Sequence, residues 1–120
     1  MVADDDVDIR LLVRSVIDVA NEGLEVVAEA ANGAEAIAIW RGQCEPQLDV
    51  LVLDNRMPGA SGMEVAREVL RQRPEQLVVL HSAYLDDQVL AEAATLGIAM
   101  CVSKADVLTL PDVIRGLAAR

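Results

Sequence analysis

Apolar residues fall along this chain in two alternating rhythms. Short aliphatic runs bounded by polar residues occur at Val50-Leu51-Val52-Leu53, at Gln76 to His81 (QLVVLH) and at Ile98 to Val102. Runs of this length and branching predict short strands buried on both faces. Between them, apolar positions recur at helical spacing. The first such stripe is Ile9, Leu12, Val13, Val16, Ile17 and Ala20, with Arg10, Arg14, Asp18 and Asn21 on the opposite, polar face. A second is Ala36, Ile37 and Trp40, ending near Gly42; a third is Val65, Ala66, Val69 and Leu70, followed by Pro74. Val89, Leu90, Ala93 and Ala94 mark a helix that ends at Gly97, and Leu110, Val113, Ile114, Leu117 and Ala118 form the last stripe. Asp8 and Thr109 are placed to cap the first and last helices. Ser61, followed three residues later by Glu64, has the spacing of a capping box. Leu24 to Ala30 (LEVVAEA) predicts a more polar strand, hence one at an edge. Met1-Val2-Ala3 predicts another, shorter than the roughly 5 to 6 residues usual in sheets. Asn32-Gly33 marks a turn and Pro46 a loop.

Strand and helix thus alternate five times with short connections, which predicts an α/β fold: a parallel sheet covered by helices on both faces. Right-handed crossovers and five strands lead to the flavodoxin-like order 2-1-3-4-5. The 120 residues make one domain, 1–120, with a single core. Because Phe is absent and Trp40 and Tyr84 are the only aromatics, that core is aliphatic. A formal net charge of -10 argues against direct contact with nucleic acid or an anionic membrane. Cys44 and Cys101 form no CxxC pair, there is no apolar run long enough to cross a membrane and no secretion-signal pattern opens the chain, so a reduced, cytoplasmic protein is expected.

Four of the strands hand over polar residues at the same end: Asp4 and Asp5, Asp54, Ser82, and Lys104. Any one of these has an ordinary structural explanation; their joint occurrence at strand ends does not. Parallel pairing lines them along one sheet edge, where sites of open α/β folds are built. Like charges a few ångströms apart repel by about 1 to 4 kcal/mol, so three carboxylates there call for a cation. All-oxygen ligands favour Mg²⁺ or Mn²⁺ over zinc. A hard divalent ion, a carboxylate nucleophile, a lysine and a hydroxyl together suit phosphoryl transfer, with Asp54 attacking phosphorus while Lys104 and Ser82 hold its oxygens. His81, the sole histidine, is read as structural.

With these marks the sequence resembles the receiver domains of bacterial two-component response regulators along nearly its whole length. The matching positions are Asp4-Asp5-Asp6-Val7-Asp8-Ile9-Arg10, Leu53-Asp54 with Met57-Pro58 and Gly62, Ser82-Ala83, and Lys104. The resemblance implies that Asp54 takes a phosphoryl group from a phosphohistidine of a sensor histidine kinase. It implies that Asp5, Asp54 and the backbone carbonyl of Arg56 hold Mg²⁺, with Asp4 acting through water, and that Ser82 and Lys104 grip the phosphoryl group. Arg56 and Tyr84 fall where this family flanks that group, and Arg56 is expected to prolong the phosphorylated state. The domain would then act as a regulatory switch that catalyses only its own phosphorylation and dephosphorylation.

Two departures stand out. Ala105 replaces the Pro that usually follows the lysine, a pairing that resembles receivers preceding helix-turn-helix DNA-binding domains; no such domain lies within these residues. Cys101 stands where the family commonly has Tyr or Phe, so the usual aromatic switch is missing or replaced. Phosphorylation would change the face made by the helix from Asp86 to Leu96, the strand to Val102 and the last helix, which would dimerise the domain or dock an effector. The alternative is a degenerate receiver that binds proteins independently of phosphorylation. A phosphatase would want a second acid where Arg56 stands, and a flavin carrier a Ser/Thr/Gly-rich loop where the aspartate run stands.

Overall fold

The computed structural model describes residues 1–20, 23–42 and 47–119; Asn21, Cys44 and Pro46 lie outside the described residues. In chain order the elements are β1 (Val2–Ala3), α1 (Val7–Ala20), β2 (Glu29–Ala30), α2 (Gly33–Gly42), β3 (Val50–Leu53) and α3 (Gly62–Gln72). There follow β4 (Leu77–Ser82), α4 (Asp87–Leu96), β5 (Met100–Ser103), a 3₁₀ segment over Lys104–Thr109 and α5 (Leu110–Ala118). All strand pairs are parallel, and the sheet order is β2-β1-β3-β4-β5, as the alternation of elements predicted.

Period-two alternation within the strands builds a core on each face of the sheet. Leu51, Leu53, Val78 and Leu80 point to the side covered by α2 and α3, where they meet Ala36, Trp40, Val65, Ala66, Val69 and Leu70. Val50, Val52, Val79 and Val102 point to the other side, against Val13 and Ile17 of α1 and Leu110, Ile114 and Leu117 of α5. Both layers are aliphatic apart from Trp40 in the first. One polar stitch crosses the first: the Trp40 indole donates to Gln76 Oε1 at 3.1 Å, and Gln76 Nε2 donates to the Leu48 and Asp49 carbonyls. Gln76 therefore precedes β4 as a buried anchor and is not its first residue.

Several local expectations shift. Helix α1 begins at Val7, and the Asp6 carboxylate, not Asp8, accepts the first-turn N–H, that of Asp8, at 2.9 Å. Of the run Leu24 to Ala30 only Glu29–Ala30 is strand, because β1 offers just Val2 and Ala3 as partners and a strand persists only where a neighbour pairs with it. Thr109 is helical in conformation and closes the 3₁₀ segment by donating to the Asp106 carbonyl at 2.7 Å, leaving α5 without a side-chain cap. Leu12, Leu90, Ala94 and Ala118, expected inward, are exposed. The capping box of α3 is formed as expected, with Ser61 Oγ accepting from the Glu64 N–H and the Glu64 carboxylate accepting from the Ser61 N–H.

One close approach couples α3 to the end of β3. A Cβ added at Gly62 would stand 2.2 Å from the Asp54 carbonyl oxygen. Gly→Ala within a helix ordinarily stabilises by about 1 kcal/mol. Here the overlap reverses the sign: Gly62→Ala is expected to destabilise the protein by about 1 to 3 kcal/mol in urea unfolding, and a more stable variant would contradict the packing described.

Candidate functional site

The sheet ladder decides where the acids go. Ala3 is in register with Leu53, and the Asp54 N–H donates to the Ala3 carbonyl at 2.8 Å, so Asp4 and Asp54 leave adjacent strands at one level. The Asp4 N–H is fixed in turn by the Ala30 carbonyl of β2 at 3.0 Å. Both residues are sealed from solvent, at 1% and 4% exposure, while Asp5 is open to it. Carboxylate oxygens of Asp4, Asp5 and Asp54 nevertheless lie within 4.8 Å of one another.

Lys104 reaches back over this cluster from the end of β5. Its Nζ is 3.0 Å from Asp4 Oδ2 and 3.2 Å from Asp54 Oδ2, so one ammonium bridges the two buried acids. Burial pushes the Asp54 pKa above the ordinary aspartate value, and the Asp4 charge pushes it further; Lys104 and the Arg56 backbone N–H oppose this without cancelling it. Burial alone would lower the Lys104 pKa, but its hydrogen bonds and charge contacts with Asp4 and Asp54 outweigh that and hold it above its usual value. The ammonium therefore stays charged across the physiological range. With all three acids ionised, one lysine leaves two negative charges without a counterpart.

An all-oxygen donor set with that surplus fits a hard divalent cation, and the exposure of Asp5 leaves the mouth open to water, as Mg²⁺ requires. The loop after Asp54 is fastened to α3. Asn55 Oδ1 accepts from the Met63 N–H at 3.1 Å, and the Gly62 N–H donates to the Asn55 carbonyl at 3.1 Å, tying the loop to the first turn of α3.

The remaining sequence candidates are less tightly drawn in. Ser82 is buried at the end of β4, but its hydroxyl donates to the Tyr84 carbonyl at 3.4 Å and accepts from the Tyr84 N–H at 3.3 Å, with no bond to a carboxylate among the described residues. Arg56 and Tyr84 stack on each other, the guanidinium carbon 4.4 Å from the ring centroid, at the solvent boundary of the site. Cys101 lies half-buried against the α2, α3 and α4 side of the core, and burial raises its thiol pKa. His81 is fully buried, and burial chiefly, with Lys104 assisting and Asp4 opposing, lowers its pKa to about 4; it is a neutral wall residue near physiological pH.

Arg10 was placed by its spacing on the solvent face, and the structure corrects that. Its side chain is 16% exposed, because Glu29 at the start of β2 draws it inward. There Nη1 donates to the Asp4 carbonyl at 2.6 Å. Arg14, on the same helix face, also pairs with Glu29. The signal that bore on this is a cation one turn into a helix that opens with a run of aspartates.

The family profile of the response regulator receiver domain matches residues 1–114. The chain belongs to the response regulator receiver family. Among curated relatives, this receiver domain is 35% identical over 92 residues to a protein-glutamate methylesterase/protein-glutamine glutaminase of Hahella chejuensis, covering 76% of the chain and 25% of that protein. It is 28% identical over 97 residues to the chemotaxis protein CheY of Thermotoga maritima, covering 81% and 77%. It is also 32% identical over 92 residues to the DNA-binding transcriptional activator DevR/DosR of Mycobacterium tuberculosis, covering 75% of the chain and 41% of that activator. The receiver thus spans well under half the length of several curated relatives. A solved two-component response regulator of the LuxR family from Aurantimonas superposes with a TM-score of 0.88 at 28% identity, covering 99% of this chain and 83% of that one.

The raised Asp54 pKa has a definite consequence for stability. A carboxyl whose folded-state pKa exceeds its unfolded value binds more protons when folded, so it costs stability once pH rises through the folded midpoint and costs nothing below the unfolded value near about 3.9. Asp54→Asn is therefore expected to be more stable than the parent at pH 7. The difference should amount to about 1.4 kcal/mol for each pH unit by which the folded midpoint exceeds the unfolded one, and should vanish toward pH 4. Urea unfolding of both proteins at the two pH values, with an NMR titration of Asp54, checks sign and size; a less stable variant at pH 7 would contradict it.

Proposed function

We propose that this receiver domain takes a phosphoryl group from a phosphohistidine of a sensor histidine kinase onto Asp54. The observation that carries the reading is Lys104 lodged between two buried acids with a third at the open mouth: a pre-charged, water-poor pocket with one carboxylate at the end of the central strand. Asp54 Oδ attacks phosphorus, the new O–P bond forms as the donor's N–P bond breaks, and the donor imidazole leaves with the bonding pair. Lys104 then exchanges its bond to Asp54 for one to a phosphoryl oxygen while keeping Asp4. Ser82 turns from the Tyr84 backbone to donate to another oxygen. Asp5, Asp54 and the Arg56 backbone carbonyl would hold Mg²⁺, with Asp4 acting through water; Mn²⁺ would serve as well. When bound, the ion supplies positive charge against the phosphoryl oxygens.

The acyl phosphate carries roughly one and a half to two negative units where the carboxylate carried one, with three further acceptor oxygens, and acts on the segments that carry Ser82 and Lys104. These lead directly into α4 and α5, so the α4, β5 and α5 face changes and dimerises the domain or docks an effector. By analogy with the DNA-binding regulators among its relatives, that effector is a DNA-binding domain. With Cys101 in place of a large ring, the motion is transmitted by the backbone and not by a side-chain swing. The degenerate alternative is not favoured, because every charged part of the site is present and converges.

Intact-mass analysis after incubation with acetyl phosphate and Mg²⁺ tests the reading. One added phosphoryl group is expected in the parent and none in Asp54→Asn; an adduct that survives the substitution would remove Asp54 from the role. The Arg56–Tyr84 stack follows the strand ends that carry Asp54 and Ser82; on the reading that it shields the phosphoryl group, Arg56→Ala is expected to speed loss of that group to water several-fold. An unchanged or slower decay, followed by the same mass measurement over time, would show that the stack does not shield the site.

A further inference from the structure

Asp5 presents a puzzle of positioning. Its carboxylate is exposed and makes no hydrogen bond or ion pair among the described residues, yet an oxygen of it lies within 4.8 Å of oxygens of Asp4 and Asp54. No side-chain contact holds it there, so the backbone must. We infer that Arg10 is a positioning residue for the divalent-cation site, holding the Asp4–Asp5 peptide so that Asp5 faces its two partner acids.

The peptide bond is planar, so the Asp4 carbonyl and the Asp5 nitrogen move as one rigid unit. Strand β1 ends at Ala3, and among the described residues no backbone N–H donates to the Asp4 carbonyl. Arg10 Nη1 supplies that bond, at 2.6 Å. The guanidinium is itself oriented from the far side: Arg10 Nε lies 3.4 Å from Glu29 Oε1, and the other Glu29 oxygen is taken by Arg14. Glu29 pairs with Val2 across the β1–β2 ladder, so the brace runs from the edge strand to the turn that carries Asp5. A planar fork with several donors can serve a carbonyl and a carboxylate at once, which an ammonium cannot do with the same geometry. Arg10 also differs from Lys104 in what it touches. Lys104 contacts the site carboxylates and so competes with a metal ion; Arg10 reaches the site only through the Asp4 main-chain oxygen, leaves the carboxylates free, and has its own charge paired with Glu29. Partners that orient metal ligands in this way typically account for about 10- to 100-fold in affinity.

The inference rests on the divalent-cation reading of the site, and the test separates the two. Mg²⁺ chloride is titrated into the full chain while the backbone amides of Asp5 and Asp54 are followed by NMR, for the parent, Arg10→Met, Arg10→Lys and Glu29→Gln. Urea unfolding is measured on the same samples. A rise of about 10- to 100-fold in the Mg²⁺ Kd is expected for Arg10→Met, with Arg10→Lys between it and the parent. Glu29→Gln should shift in the same direction by less, and it carries the test if Arg10→Met does not fold. Saturating Mg²⁺ should restore uptake of the phosphoryl group from acetyl phosphate. Parent and variants that bind Mg²⁺ equally, even if the variants unfold more easily, would overturn the positioning role alone. A parent whose amides do not respond to Mg²⁺ would overturn the cation site and this inference together.

Discussion

Two carboxylates are forced out of water side by side, and one ammonium lies between them. At an effective dielectric typical of such places, like charges 4 Å apart repel by about 4 kcal/mol. Asp4 and Asp54 cannot relax away from each other, because the hydrogen bond from Asp54 to the Ala3 carbonyl locks their strands in register. Lys104, within 3.0 Å and 3.2 Å of them, offsets the repulsion, yet burial first and the Asp4 charge second still hold the Asp54 pKa above its ordinary value. A site in that condition favours whatever brings in positive charge or disperses the negative charge of one acid.

The rest of the fold keeps the acids together and connects them to the surface. Aliphatic layers on both faces of the sheet hold β3 rigid, so Asp54 projects from the best-packed strand. The absent Cβ of Gly62 lets α3 begin against the Asp54 carbonyl, and the Asn55 side chain fastens the intervening loop. On the opposite flank, Arg10 and Glu29 brace the turn that carries Asp5. Lys104 opens the 3₁₀ segment into α5, and Ser82 closes β4 ahead of α4. Ser82 and Lys104 thus lead into helices that cover opposite faces of the sheet, α4 on the side of α3 and α5 on the side of α1.

Much of this was legible in the sequence. Short aliphatic runs and helical stripes determine the sheet order, since parallel strands joined by right-handed crossovers leave few arrangements. Asp4, Asp5, Asp54 and Lys104 could be placed at one edge because each follows a strand directly, and no side-chain geometry was needed. What stayed hidden depends on which partner a group finds, some far away in sequence and some only two or three residues off. Leu24 to Val27 read as strand by composition, yet β1 is too short to pair with them. Arg10 read as solvent-facing by helical phase, yet Glu29, nineteen positions on, draws it inward. Thr109 read as a cap, yet the preceding 3₁₀ turn had already used its hydroxyl. Ser82 was correctly placed at a strand end, but no sequence pattern could tell that its hydroxyl would turn to the Tyr84 backbone.

The crowding of charge at the sheet edge is most directly tested on Asp54 itself. Carbon-13 NMR of its side-chain carboxyl, titrated from acid to neutral pH with and without Mg²⁺, reads the cost of ionising it. A midpoint above that of an ordinary aspartate without the ion, falling below it when Mg²⁺ is added, is the predicted result. A midpoint at or below the ordinary value from the outset, and indifferent to Mg²⁺, would contradict it.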